Sequence, residues 1–295
     1  MKDTRVVVVL GGDPAQRAVL TGDVVSGAAG TALVLTGRPD AVDPRLDIGE
    51  TGTVEVRADD PTARLEAFRS GAVDPDDDVL VALSAGGDTP LSAVLGWEYA
   101  RRAAAAGYWD VVVVELDGDL AAVRRLAAAG ELTAFVESRW PAHVRFASMA
   151  AGELADVRVR EAHRLALLAQ DVADFLAGPL RVEVAGGAPE RTAAMAALAR
   201  GAVVPDIEAD DTGAYLVTYT FPTKPTSPAT VDGAMLRLDH DGFRAVLPLP
   251  PLLARCELAD SDYDGRAGRV VLRFVPDPDL WPPNLVPSGF AGRAG

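Results

Sequence analysis

The sequence predicts an α/β fold, a mainly parallel sheet with flanking helices, followed by a small all-β sandwich. Three observations predict it. Uninterrupted β-branched runs recur through the first two thirds of the chain. Between most of them lie Ala-, Leu- and Arg-rich stretches of helical periodicity, and beyond about residue 207 that periodicity gives way to short alternating strands. A strand that is apolar at every position is covered on both faces, which is the condition of a parallel sheet wrapped by helices.

The expected strands of that sheet are Val6–Leu10, Thr31–Leu35, Thr53–Val56, Val111–Val114 and Leu180–Val184. Val79–Leu83 reads as either a strand or a buried loop segment, because the acidic DPDDD before it and the glycines after it fit both. A helix is expected over Glu153–Ala177, where Leu154, Val157, Leu165, Leu168, Val172 and Phe175 fall at three- and four-residue spacing. Gly178-Pro179 stops it. A second helix, Pro189–Arg200, starts with proline and an acid and ends before Gly201.

Around Val204–Gly213 the acidic, turn-rich PDIEADDTG forms a connector. After it come the alternating segments Ala214–Phe221, Met235–Asp239, Phe243–Leu247 and Val270–Val275, separated by Pro- and Gly-bearing turns, the spacing of a small sandwich. The expected division is an α/β domain over residues 1–207, the sandwich over 208–282 and a Pro- and Gly-rich tail over 283–295.

The formal net charge of −15 repels phosphate backbones and anionic lipid, and no Lys/Arg block offsets it. Nucleic acid is therefore not an expected partner. The single cysteine, Cys256, excludes an internal disulfide framework and fits a reducing, cytoplasmic setting. MKDTRVVVVL reads as a first strand rather than a signal peptide, and no segment reaches the roughly 18 to 20 apolar residues of a membrane span.

The stretch VVVVLGGDPAQRAV, Val6–Val19, is a strand running through a glycine pair into a helix, the setting of a phosphate-binding loop. Such a loop, G-x-x-x-x-G-K-[ST], needs glycines so that backbone N–H groups converge on phosphates, a lysine for the outer phosphates and a hydroxyl for magnesium. Laid on Gly11 and Gly12, the pattern puts Gln16 at the second glycine, Arg17 at the lysine and Ala18 at the hydroxyl, and Pro14 in the cradle has no N–H to donate. Losing two charge-assisted bonds costs roughly 3 to 6 kcal/mol, or about two to four decades of affinity. The loop is therefore expected to be a strand-to-helix turn that holds nucleotide weakly or not at all.

Two further segments carry a resemblance. GYWDVVVVELDGDLAAVRRLAAAGELTAFVESRWPAHVRF, Gly107–Phe146, resembles the stretch after the Walker B strand in actinobacterial ArsA-like ATPases, the P-loop NTPase family of anion pumps and tail-anchored-protein targeting factors. LPLPPLLARCELADSDYDGRAGRVVLRFVPDPDLWP, Leu247–Pro282, resembles the small-heat-shock-like β-sandwich attached to many of them; its ending, from Leu272-Arg273-Phe274 to Trp281-Pro282, is the most distinctive part. With the opening strand and loop, the resemblance spans most of the chain and implies a P-loop NTPase-like sheet.

Where the family has a magnesium-supporting aspartate at the end of its Walker B strand, this chain has Glu115, and the second switch reads Glu115-Leu116-Asp117-Gly118. The water-activating aspartate of the first switch falls on Gly37 or Arg38, with Asp40 the nearby acid. The family's later strand with a base-recognising asparagine has no counterpart between Arg200 and the β region. Four parts of an ATP site are altered together. The resemblance thus implies a pseudo-ATPase without a nucleotide cofactor, acting as a homodimer or as a heterodimer with an intact paralog in anion or membrane-protein handling.

Two alternatives stay open. One is an active ATPase using Mg-ATP, with Gly11, Gly12, Gln16 and Arg17 on the phosphates and Asp40, Glu115 or Asp117 as catalytic or magnesium-holding acids. The other is a binder of protein clients through the sandwich. Glu115, Asp117 and Asp119 otherwise read as solvated acids capping a helix. His143, His163 and His240 are too scattered for a metal site, and Gly86-Gly87-Asp88 is a turn with no basic support. Cys256, Trp97, Trp109, Phe135 and Trp140 read first as core side chains.

Overall fold

A computed structural model describes residues 4–28, 30–37, 52–58, 60–71, 89–116, 119–150, 156–186, 189–201, 205–221, 224–233, 235–240, 243–278 and 280. The five expected strands form within it as β1 (Arg5–Leu10), β2 (Thr31–Thr36), β3 (Thr53–Ala58), β4 (Val111–Glu115) and β5 (Arg181–Val184). They pair in parallel in the order β3-β2-β4-β1-β5. The central strands are buried almost end to end, whereas β3 and β5 carry Glu55, Arg57, Arg181 and Glu183. Charge belongs on a strand that has a neighbour on one side only.

Because side chains alternate across a strand, each apolar run feeds two cores. Val6, Val8, Leu10, Leu33, Leu35, Val112 and Val114 enter one apolar cluster; Val7, Val9, Ala32, Val34, Val111 and Val113 enter another, closed by Val25. Val25 belongs to α1 (Pro14–Ser26), which covers the second face. The first face is larger. It is covered by α2 (Pro61–Ser70), α3 (Pro90–Ala105), α4 (Asp119–Arg139), α6 (Val157–Ala177) and α7 (Pro189–Ala199), with α5 (Ala142–Ala150) leaning on α6.

Local chemistry starts these helices where they start. Asp13, Asp60 and Thr89 each cap with their own side chain and are followed by proline, whose missing N–H costs nothing at a first helical position. Asp156 caps α6, so this helix begins at Val157. Gly178 ends it as expected. Residues 153–155, Val79–Leu83, Gly86-Gly87-Asp88 and the 283–295 tail lie outside the described residues.

The remainder is antiparallel. It comprises β6 (Asp206–Ala209), β7 (Tyr215–Thr220), β8 (Thr230–Asp232), β9 (Met235–His240), β10 (Phe243–Pro248), β11 (Cys256–Asp264) and β12 (Arg269–Pro276). One sheet runs β10-β9-β8 and the other β11-β12-β7-β6. Leu236, Leu238, Ala245 and Leu247 of the first share an apolar cluster with Val217, Tyr219, Val270, Leu272 and Phe274 of the second. Burial of two inner faces against each other defines a sandwich. The same cluster continues into Leu126, Leu132 and Val136 of α4, on which β10 packs.

Among the described residues, no helix is long and apolar enough to cross a membrane.

Candidate functional site

β1 leads from Leu10 into Gly11 and Gly12, whose φ values of 79° and 59° lie where only glycine is at ease. The double turn delivers Asp13 to the start of α1. There the Gln16 N–H donates to Asp13 Oδ1 at 2.9 Å, and the Asp13 N–H donates to Gln16 Oε1 at 3.1 Å. This is a capping box, a reciprocal exchange that satisfies the free N–H groups of a helix start.

Arg17 heads the buried stripe of α1, with Thr21 and Val25 below it at four-residue spacing. Its Nη1 donates to the carbonyl oxygens of Gly11 at 3.1 Å and Gly12 at 2.8 Å. Its Nε lies 3.5 Å from Glu115 Oε1, with the two side chains 3% and 5% exposed. Glu115 reaches this point as the last residue of β4, in register with Val9 of β1.

The loop therefore has the polarity of a cation site, occupied by the chain's own guanidinium. A phosphate cradle presents N–H groups. Here two loop carbonyls face Arg17 instead, and the helix start, which favours an anion through its dipole, already has one in the Asp13 carboxylate.

The turn also sits tightly against its neighbours. A Cβ on Gly12 would come within 2.6 Å of Gln16 Oε1 and 2.8 Å of the Ala185 carbonyl; one on Gly186 would come within 2.6 Å of Gln16 Oε1. Gln16 is thus held between the turn after β1 and the turn after β5. These residues do not fit a triphosphate with its magnesium: the cation is engaged, an acid stands at the helix start and Pro14 offers no N–H.

Of the sequence candidates, the structure brings together Gly11, Gly12, Gln16, Arg17 and Glu115; Asp40 and Asp117 lie outside the described residues. Asp13, Ala185 and Gly186 complete the arrangement and were not anticipated. A signal for them exists in the chain: Ala185-Gly186-Gly187-Ala188-Pro189 repeats the strand-Gly-Gly-x-Pro-helix pattern of Leu10-Gly11-Gly12-Asp13-Pro14.

Elsewhere, Trp97 is buried in the core and donates its Nε1–H to the Arg125 carbonyl at 2.8 Å, while Phe135 is 40% exposed and meets Trp140 edge to face. His163 is half-buried beside Phe146, and Cys256 is buried, its thiol donating to the Leu252 carbonyl at 3.5 Å. Among the described residues, no group of three His, Cys, Asp or Glu is gathered to hold a metal ion.

No model of a known protein family matches the chain, and no curated protein matches it either.

Proposed function

We propose that this chain is a pseudo-ATPase, a relative of the anion-pump and tail-anchored-protein targeting ATPases that no longer turns over nucleotide and acts as a non-catalytic subunit. One observation carries the reading: Arg17, at the position of the phosphate-loop lysine, is spent on the loop's own carbonyls and on Glu115. Releasing it toward a phosphate would leave Glu115 charged in a nearly dry environment, a cost of several kcal/mol that nucleotide binding would have to offset.

In this reading the ion pair replaces the ligand. A nucleotide-binding loop is ordered by its phosphates; this one is ordered by Arg17 and by the Asp13–Gln16 exchange. The parallel sheet then serves as a scaffold, and an intact paralog supplies catalysis across a shared interface. The expected setting is the cytoplasm.

Isothermal calorimetry of the purified full chain with Mg-ADP and Mg-ATP, alongside its light-scattering mass, tests the proposal. No heat of binding at micromolar nucleotide is expected. Micromolar binding, or ATP hydrolysis that is lost in Arg17→Ala, overturns it in favour of an active ATPase.

A further inference from the structure

Arg200, the residue after α7, is a half-buried cation with no carboxylate partner among the described residues. Its Nη1 donates to the carbonyls of Leu176 at 2.9 Å and Gly178 at 3.1 Å, the open end of α6. Its Nε is buried with no hydrogen-bond partner among the described residues. Burial holds the guanidinium pKa below its ordinary value. This is unusual in a chain with 43 Asp and Glu against 28 Lys and Arg. Charges taken out of water are ordinarily paired, because an unpaired one carries its full desolvation cost.

Arg200 also lines a cavity of about 150 Å³ between α4, α6, α7 and the start of β9. Leu126, Ala173, Leu176 and Met235 give it apolar walls, and Gln170 and Asp174 stand exposed at its mouth, joined by a hydrogen bond of 2.8 Å. An apolar-lined cavity of this size accepts a ligand of about six carbons.

We propose that this cavity is a binding site for a small apolar monocarboxylate, its hydrocarbon part against Leu126, Leu176 and Met235 and its carboxylate on Arg200. The class follows from the chemistry of the walls. A neutral hydrocarbon would leave the Arg200 guanidinium at the cavity wall without a counter-ion, and a small hydrophilic anion would leave the apolar walls bare. A carboxylate with a short alkyl or aryl group satisfies both, and an Arg–carboxylate pair in a partly dry site is a strong charge-assisted contact. Because Met235 begins β9, the occupant would touch the α/β part and the sandwich together.

Thermal shift and calorimetry on the full chain test this with n-alkanoates from butanoate to octanoate and the matching n-alkanols. Affinity for alkanoates should rise about fourfold per methylene until the cavity is full, then level off. Alkanols of the same length should bind at least tenfold more weakly. Arg200→Gln, whose amide can still donate to the α6 carbonyls, should abolish that preference, Arg200→Lys should keep part of it, and Asp174→Asn should strengthen alkanoate binding by removing a like charge at the mouth. If Arg200→Gln does not fold, the wild-type comparison of acid with alcohol and the lysine variant decide alone. Equal binding of acid and alcohol by wild type overturns the role of Arg200, and no binding of either overturns the site, leaving Arg200 as the cap of α6.

Discussion

Arg17 Nε lies 3.5 Å from Glu115 Oε1, and both side chains are withdrawn from solvent. The pair joins α1 to β4 directly beneath the turn after β1, so it fixes the helix, the strand and the loop relative to one another. Two carbonyl bonds from Nη1 complete the hold. A buried ion pair is a poor source of net stability compared with apolar packing, but breaking one half of it is costly, because the remaining charge stays where water cannot reach it.

Arg17→Ala or Glu115→Ala alone should therefore destabilise the chain by about 3–5 kcal/mol. The double variant should be less damaged than the sum of the two, since neither charge is then stranded. Urea denaturation of the four proteins in the cycle checks this. Full additivity would mean that the two side chains do not act on each other.

The glycines around Gln16 should differ in cost for reasons that the distances make plain. Gly12→Ala meets both a left-handed φ of 59° and the Ala185 carbonyl at 2.8 Å, a backbone atom that cannot step aside. Gly186→Ala meets φ 64° and Gln16 Oε1 at 2.6 Å, the end of a side chain that can swing away only by giving up its bond to the Asp13 N–H. Gly201→Ala meets φ 69° but open space. The losses should follow that order, with Gly201→Ala near 1 kcal/mol. In a Gln16→Ala background the cost of Gly186→Ala should fall toward that of Gly201→Ala; thermal melts of the pairwise set measure it.

The parallel sheet was legible because Val6–Leu10 and Val111–Val114 are apolar at every position, and only a doubly covered strand needs that. The antiparallel part was half legible. Phe243–Leu247 and Val270–Val275 alternate clearly, but β11 carries Glu257, Asp260, Asp262 and Asp264 on its exposed side, as an edge strand does, and so shows no such run in the sequence. β6 hides in the acidic DIEA for the same reason. At the loop, the sequence exposes the departures from a phosphate site but not their mutual compensation. Arg17 and Glu115 are 98 positions apart, and only the register of β1 on β4 brings them together.

Glu98, buried on α3, should make stability depend on acid. Burial pushes its carboxyl pKa up, but hydrogen bonds from Arg101 at 2.6 and 3.0 Å and from Arg102 at 2.6 Å outweigh burial and hold it below its ordinary value of 4.5. A depressed carboxyl pKa contributes stability that is present above the unfolded value and lost as pH falls through the folded one. Glu98→Gln should thus cost roughly 1–3 kcal/mol at pH 7, and the difference from wild type should shrink as pH drops below about 4.5. Denaturation curves at pH 7, 5 and 3 would expose a constant difference, which would exclude the ionic contribution.

Tyr219 should do the reverse at high pH. Its ring sits on β7 inside the sandwich at 1% exposure, and its hydroxyl has no hydrogen-bond partner among the described residues. Burial alone pushes its pKa up from 10.0 to about 12. The folded state prefers the neutral phenol, so this contribution is intact below the unfolded pKa and is lost as pH rises from 10 through 12. Removing an unsatisfied buried hydroxyl while keeping the ring is neutral or favourable, so Tyr219→Phe should match or exceed wild type by up to about 1 kcal/mol at pH 7. Phenylalanine cannot ionise, so its advantage should grow by about 1.4 kcal/mol per pH unit across that window. Comparing urea midpoints of the two proteins at pH 7, 10 and 11.5 cancels the other titrating groups, and a gap that stays flat would show that the Tyr219 oxygen reaches water.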